Sequence, residues 1–233
     1  MGDGLWVFLA ASPLFWLTLT IGVFLLASRL AKASGNHPLV NPVLISVGVL
    51  VAILRLTGTD YLEYFDGAQF IHFILGPATV ALAIPLWRHR ARVRELAVPI
   101  LAALVVGAPF AMFSAVLIAK ALGLPETLQM ALVPKSATAG IAVGVAEQIG
   151  ANGSLVAVFV IVTGIIGAVI VTPLMNAMGI RDYAARGFAA GLSAHGIGTA
   201  RALQVDPLAG AFSGLAMSLN GIATAILAGW LFS

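Results

Sequence analysis

Long apolar segments alternate with short polar loops along the whole chain. Eight such segments can be distinguished, at residues 5–28, 39–56, 68–87, 96–121, 126–149, 154–178, 187–204 and 208–231. A helix needs about 20 apolar residues to cross the hydrocarbon core of a bilayer. Several segments have that length without interruption, so the pattern predicts an all-α, polytopic helical membrane protein.

Three of the segments, 68–87, 126–149 and 187–204, are short or are interrupted by glycine, proline and polar residues. Proline removes a backbone donor, and lipid cannot satisfy the backbone groups that a break sets free. Irregular backbone at membrane depth therefore lies against protein or lines a cavity. We expect about six full spans together with two broken or re-entrant segments, 126–149 and 187–204.

Loop charges predict which ends of the segments face the cytoplasm. Three loops carry eight of the twelve Lys and Arg residues: Arg29, Lys32, Arg88, Arg90, Arg92, Arg94, Arg181 and Arg186. Cytoplasmic loops are enriched in Lys and Arg, so these three loops are predicted to lie inside. The loop with Asp60, Glu63 and Asp66 and the N-terminus are then predicted to lie outside.

The number of crossings conflicts with this assignment unless one segment turns back. If 126–149 and 154–178 both crossed fully, Arg181 and Arg186 would lie outside. If 126–149 enters from the outside and returns, both arginines lie inside, as the charge bias requires. Segment 187–204 is likewise predicted to be re-entrant, from the cytoplasmic side.

Composition supports a membrane domain that extends over residues 1–233. Hydrophobic residues make up 61% of the chain and charged residues 9%, whereas a soluble domain carries about 25% charged residues. The cations lie in loops between apolar segments, so the basic pI indicates topology and no nucleic-acid partner. Asp3 stands where a signal peptide has Lys or Arg, so we expect no cleavable signal.

The stretch ALVPKSATAGIAV contains the first polar group with candidate chemistry. Lys135 follows Pro134 in an apolar segment, and a lysine at the bilayer centre costs about 2.5–3.5 kcal/mol on insertion scales. Together with Ser136, Thr138 and a helix N-terminus, it is suited to a small anion such as a carboxylate. The alternative is that Lys135 extends to the membrane interface.

A second polar group lies in the stretch LSAHGIGTARALQVD. It contains His195, Thr199 and Arg201, and arginine matches the planar geometry of a carboxylate. Gly196 and Gly198 would let the backbone approach a ligand closely. The alternatives are a headgroup contact for Arg201 and a simple interior position for His195.

Two further residues and a weak internal repeat complete the candidates. Thr79 follows a predicted helix break at Gly76 and Pro77, and Asn220 would line a cavity or bridge two helices. The octamers GPATVALA and GIGTARAL are similar. They favour inverted repeats over residues 39–121 and 154–231, an arrangement found in transporters of the elevator type, although a chance match in a Gly- and Ala-rich chain would give the same similarity.

Enzyme motifs are missing from the sequence. There are no cysteines, no cluster with metal-ligand spacing, no nucleophile elbow and no phosphate loop. We expect a protein that is not an enzyme and needs neither a metal nor another cofactor.

The chain resembles the LrgB/CidB family, which includes the C-terminal half of the plastidic glycolate/glycerate translocator. The stretches that carry the resemblance are LVNPVLISV, GPATVALAIPLW, PKSATAGIAVGVAEQIG and GIRDYAARGFAAGLSAHGIGTARALQVDPLAGAFSGLAM. The positions that match the PKS and H-x-x-G-T-A-R motifs are Lys135, Ser136, Thr138, His195, Thr199 and Arg201. Ala139 and Gly140 stand where the family often has threonine and proline.

The resemblance implies transport of small monocarboxylates such as glycolate, glycerate or pyruvate. The family also carries an older label, the control of murein hydrolase export and autolysis with a small holin-like LrgA/CidA partner, which is the alternative; a passive channel is a third hypothesis. A short chain without a transit peptide favours a bacterial inner membrane, and a homodimer is expected by analogy. In the transport hypothesis, two interrupted segments meet near the midplane, and Lys135 and Arg201 offset the charge of the substrate. Ser136, Thr138 and Thr199 bind its oxygens, and a proton carried by His195 or a sodium ion supplies the coupling.

Overall fold

The computed structural model describes residues 12–37 and 39–232, and over these residues it is helical without strands. The prediction of an all-α protein is confirmed. Eleven helices occupy the described residues: α1 Pro13–Ala33, α2 Pro42–Thr57, α3 Tyr61–Ala81, α4 Ala83–Arg88, α5 Arg90–Glu95, α6 Ala97–Ala121, α7 Glu126–Leu132, α8 Ala139–Gln148, α9 Gly153–Ala177, α10 Tyr183–Val205 and α11 Pro207–Leu231. The start of the predicted segment 5–28 lies outside the described residues.

Four helices, α1, α6, α9 and α11, are long and apolar enough to cross a membrane. The bent pair Tyr61–Ile71 and Gly76–Arg88 would add a fifth crossing, and α2 is apolar but has only 16 residues. The six predicted full spans therefore correspond to four complete spans, one bent pair and one short helix. The chain is a multi-pass membrane protein.

By its internal contacts the chain divides into two compact units, Met1–Ala81 and Leu82–Ser233. In the described part of the first unit, α1 packs against α2 and α3. Trp16 is fully buried, and its ring lies edge-on to Tyr64 with 5.6 Å between the centroids. Asn41 caps α2 by accepting hydrogen bonds from the backbone N–H groups of Val43 and Leu44.

In the second unit, an ion pair fixes which ends of the long helices lie together. Arg92 Nη2, just before α6, is 3.4 Å from Asp182 Oδ2, just after α9. The start of α6 and the end of α9 therefore share one face of the unit. Since α6 and α9 each cross once, the segment between them must begin and end on the opposite face.

The segment with α7 and α8 is a re-entrant hairpin, as the sequence predicts. The chain leaves the helical conformation between Leu132 and Ala139, and α8 then runs alongside α11 towards the C-terminal end of α11. A Cβ atom at Gly221 would lie 2.6 Å from Ile141, and one at Gly229 would lie 3.6 Å from Gln148. We call this segment, residues 126–148, the first hairpin.

Helix α10 is also broken. Ala194 (φ −125°, ψ 16°) and His195 (φ 41°, ψ −132°) have non-helical backbone angles inside it. They divide α10 into a first arm, residues 183–193, and a second arm, residues 196–205. We call the whole segment the second hairpin.

The contacts of the two arms show that the chain reverses at His195. In the first arm, a Cβ atom at Gly187 would clash with the carbonyl oxygen of Ala209, and one at Gly191 would clash with that of Ser213. This arm therefore follows α11 from its beginning towards its middle. In the second arm, Leu203 packs on Gly210, back at the beginning of α11.

Buried small residues hold the arms of the second hairpin together. Ala190 and Ala202 share one buried cluster with Ala209, whereas a straight helix would place Ala190 and Ala202 about 18 Å apart. The second hairpin thus enters from the face of Arg92 and Asp182 and returns to it, as predicted for segment 187–204.

Each hairpin follows a long spanning helix. α6 precedes the first hairpin and α9 precedes the second, and the two hairpins enter from opposite faces. This arrangement repeats over residues 97–148 and 153–205 within the second unit. The predicted repeat boundaries, 39–121 and 154–231, stay a prediction.

Candidate functional site

The tips of the two hairpins meet at Asn220, near the middle of α11. Asn220 Nδ2 donates to the carbonyl of Ser136 in the first tip (3.0 Å) and to the carbonyl of Leu192 beside the second (3.1 Å). Asn220 is 1% exposed. One buried amide therefore satisfies backbone carbonyls at both helix breaks, which lipid could not do.

The first tip provides a lysine and two hydroxyl groups. Lys135 Nζ donates to Ser136 Oγ at 3.1 Å, and Ser136 is buried. Thr138 has an extended backbone and precedes α8, but its side chain does not cap that helix. The first N–H groups of α8 are therefore not satisfied by a capping side chain, and they carry the partial positive charge of a helix N-terminus.

The second tip holds a histidine in a conformation that favours glycine. The φ of His195 is 41°, and a side chain in such a region costs about 1–3 kcal/mol, which persists when the surroundings over-determine it. Here Nε2 of the ring bonds the carbonyl oxygen of Val160 in α9 at 2.9 Å. Because that oxygen can only accept, Nε2 carries a hydrogen and Nδ1 is left as an acceptor in the neutral ring.

A hydroxyl pair connects the second tip to α11. Thr199 Oγ1 lies 2.9 Å from Ser213 Oγ and donates to the carbonyl of His195 at 2.8 Å. We call the set Lys135, Ser136, His195, Thr199, Ser213 and Asn220 the tip cluster.

Two glycines of α9 allow the second tip to approach. A Cβ atom at Gly164 would lie 2.7 Å from Cε1 of His195, and one at Gly167 would lie 2.5 Å from the Cβ of Ala194. Both distances are too short for a side chain to fit without displacing the tip. The run from Gly164 to Gly167 therefore serves close helix packing.

The two glycines of the second motif have different surroundings. Gly196 is exposed, and a Cβ atom there would lie 3.9 Å from Sδ of Met217, an ordinary contact distance. Gly198 is buried, and a Cβ atom there would lie 2.5 Å from the carbonyl of Ala190 in the first arm. Gly198 is thus needed for packing of the arms, and contact of either glycine with a ligand stays a prediction.

Arg201 does not lie with the tip cluster. It occupies the second arm six residues after His195, which corresponds to about 9 Å along a helix. It lines a separate small cleft together with Thr172, Met175, Tyr183 and Arg186. The side chain of Thr79 lies outside the part of the chain that the structure describes.

Sequence reasoning missed Ser213. It is fully buried and, with Asn220 and Thr224, lies on the buried side of α11. The signal was available, because these polar residues recur at intervals of seven and four, which places them on one helix face.

The tip cluster has the chemistry of an anion site. None of the nine Asp and Glu residues lies between positions 127 and 146 or between 183 and 205, and Lys135 makes no ion pair among the described residues. A cation inside a membrane protein is costly unless it has a partner. Lys135 with hydroxyl groups and free helix N–H groups beside it therefore fits a small ligand of negative charge.

These features define a class, the multi-pass helical membrane proteins with two oppositely inserted hairpins whose tips meet. The chain belongs to the LrgB-like family, which it matches over residues 20–233. It is 38% identical to the uncharacterized protein YwbG of Bacillus subtilis (strain 168) over 219 residues, 93% of this chain and 96% of that protein. It is 30% identical to the holin-like protein CidB of Staphylococcus aureus (strain N315) over 214 residues, 92% of this chain and 93% of that one. No solved structure matches it.

Proposed function

We propose that this protein transports small monocarboxylates, such as glycolate, glycerate or pyruvate, across a bacterial inner membrane by alternating access. The observation that carries the proposal is the meeting of two oppositely inserted hairpins around Lys135, which makes no ion pair within the described part of the chain. In transporters built from inverted repeats, substrate sites lie near the midplane at broken helices. Asn220 lies at the fourteenth of the 25 positions of α11, which is the corresponding depth.

In this mechanism Lys135 offsets the negative charge of the carboxylate. Ser136, Thr138 and the first N–H groups of α8 bind its oxygens from the first tip, and Thr199 acts from the second. Movement of the hairpin-bearing unit across the bilayer would then expose the same site to each side in turn. The protein carries out no chemical change on the substrate and needs no cofactor in this scheme.

His195 is the group that would couple transport to protons. Its Nε2 is held by Val160, while Nδ1 has no hydrogen-bond partner among the described residues. Nδ1 is therefore free to take up a proton when the negative substrate is present to offset the added charge. A sodium-coupled carrier would instead lose uptake when sodium is removed and would not respond to a proton gradient.

Uptake of radiolabelled glycolate into proteoliposomes that contain only this chain tests the proposal. The key variant is Lys135→Gln, and its matched control is Lys120→Gln, which changes an exposed lysine at the end of α6. We expect saturable uptake with counterflow in the wild type and the control. We expect Lys135→Gln to give the uptake of empty liposomes, because the carboxylate would enter without a counter-charge.

The holin-like name of the staphylococcal relative favours a second candidate, in which this chain regulates a small pore-forming membrane partner in murein hydrolase export. In that case folded wild-type protein alone would transport none of glycolate, glycerate, lactate and pyruvate. Lys135→Gln would instead change co-purification with the partner. A passive channel would give flux that does not saturate and no counterflow. A homodimer, the oligomer expected by analogy, is tested by light scattering of the purified protein.

A further inference from the structure

Arg201 is a buried cation without a counter-charge among the described residues. The residue is only 6% exposed, and its Nε is buried without a hydrogen-bond partner. The ion pairs of the described chain involve Arg92 alone as the cation. Removing the partner of a buried charge is strongly destabilising, so a buried guanidinium with no partner indicates that a partner comes from outside the chain.

The nearest acidic residues in the sequence are occupied elsewhere. Asp206 accepts hydrogen bonds from the backbone of Leu208 and Ala209 and thereby caps α11. Asp182 caps α10 through Ala185 and pairs with Arg92. Neither carboxylate is paired with Arg201.

A second cation lines the same cleft. Arg186 donates to the carbonyl of Ile180 and to Oδ1 of Asn176, both of them neutral acceptors. The cleft between α9 and the second hairpin therefore carries two guanidinium groups and no carboxylate among its lining residues. Its free space of about 20 Å³ holds about one water molecule or one oxygen atom of an oxyanion. A water there would satisfy hydrogen bonds but would leave both charges uncompensated.

We propose that this cleft is an oxyanion site separate from the tip cluster. The guanidinium of Arg201 binds a phosphate or carboxylate group, since its planar donors match such oxygens, and Arg186 adds attraction at the rim. The site lies on the face of Arg92 and Asp182, which the positive-inside rule assigns to the cytoplasm. The oxyanion comes either from a free solute or from a lipid headgroup. This inference is independent of the transport proposal.

Thermal unfolding of the purified full chain in neutral detergent tests this site. One arm adds inorganic phosphate against sodium chloride at equal ionic strength, and the other adds phosphatidylglycerol against phosphatidylcholine. A ligand that binds only the folded state raises the unfolding midpoint, and we expect a saturable rise of about 2–4 °C in one or both arms. The arm that responds identifies the source of the oxyanion.

Three variants assign the response to Arg201. We expect Arg201→Gln to lose the rise, Arg201→Lys to keep part of it, and Lys135→Gln to keep all of it. Without added anion, Arg201→Gln should unfold no earlier than the wild type, because it removes an uncompensated buried charge. The proposal is overturned if neither phosphate nor phosphatidylglycerol stabilises the wild type, or if Arg201→Gln responds as the wild type does. It is also overturned if Arg201→Gln lowers the midpoint equally with and without anion, which would show a structural role alone.

Discussion

At the scale of single residues, His195 connects backbone strain to side-chain chemistry. Its φ of 41° is a conformation that glycine adopts at little cost. The ring is nevertheless held by its hydrogen bond to the carbonyl of Val160. It fits against α9 because Gly164 has no side chain. A strained residue that the surroundings hold in place is typical of functional sites.

The strain gives a prediction with a definite sign. His195→Gly and His195→Ala both remove the ring, but only the alanine variant keeps a side chain at positive φ. We expect the glycine variant to be more stable by about 1–3 kcal/mol, measured as the difference in free energy of unfolding. The control pair is Ser193→Gly and Ser193→Ala, because Ser193 is exposed in the regular part of the first arm.

At position 193 the order should reverse, since alanine is favoured over glycine in a helix by about 0.5–1 kcal/mol. If the alanine variant were the more stable of the two at position 195 as well, the backbone at His195 would not be strained.

At the scale of elements, the sequence predicted both hairpins, although neither is a regular apolar span. The argument from the number of crossings depended on Arg181 and Arg186. The ion pair between Arg92 and Asp182 supports it, because it places the loop before α6 and the loop after α9 on the same face of the second unit. The argument succeeded because loop charge and helix length are properties of the chain itself.

The contacts between elements could not be predicted from the sequence. The bond from Asn220 to both tips, the bond from His195 to Val160 and the position of Arg201 in a separate cleft all depend on how distant segments pack. In a straight α10, Arg201 would lie about 9 Å beyond His195, deeper in the membrane. The reversal at His195 instead directs the second arm back towards the membrane face.

Labelling of introduced cysteines tests the hairpins directly, because the chain has no cysteine of its own. Glu126→Cys and Glu147→Cys mark the two ends of the first hairpin, and Arg181→Cys and Gln204→Cys mark the second; all four positions are exposed. We expect a membrane-impermeant maleimide to label the first pair from one side of the membrane and the second pair from the other side. If Glu126→Cys and Glu147→Cys were labelled from opposite sides, the first hairpin would be a full span.

At the scale of the whole molecule, the second unit combines the parts that a carrier requires. It has two hairpins from opposite faces and a central helix whose Asn220 connects both tips. At their meeting point lies Lys135, which makes no ion pair among the described residues. The two hydrogen bonds from Asn220 also satisfy one backbone carbonyl at each helix break, so these two carbonyls need no partner from lipid. A carrier of this kind must open the tip cluster alternately to the two sides.

Accessibility of a single cysteine at the first tip, measured from each side of sealed proteoliposomes, tests this claim most directly. Gly140→Cys is suitable, because position 140 is exposed on the first turn of α8 and a Cβ atom there meets nothing within 4 Å. We predict that an impermeant maleimide labels this cysteine from both sides and that glycolate slows both reactions, whereas an equal concentration of chloride does not. Labelling from one side only, at a rate that glycolate leaves unchanged, would contradict a site at the tips with alternating access.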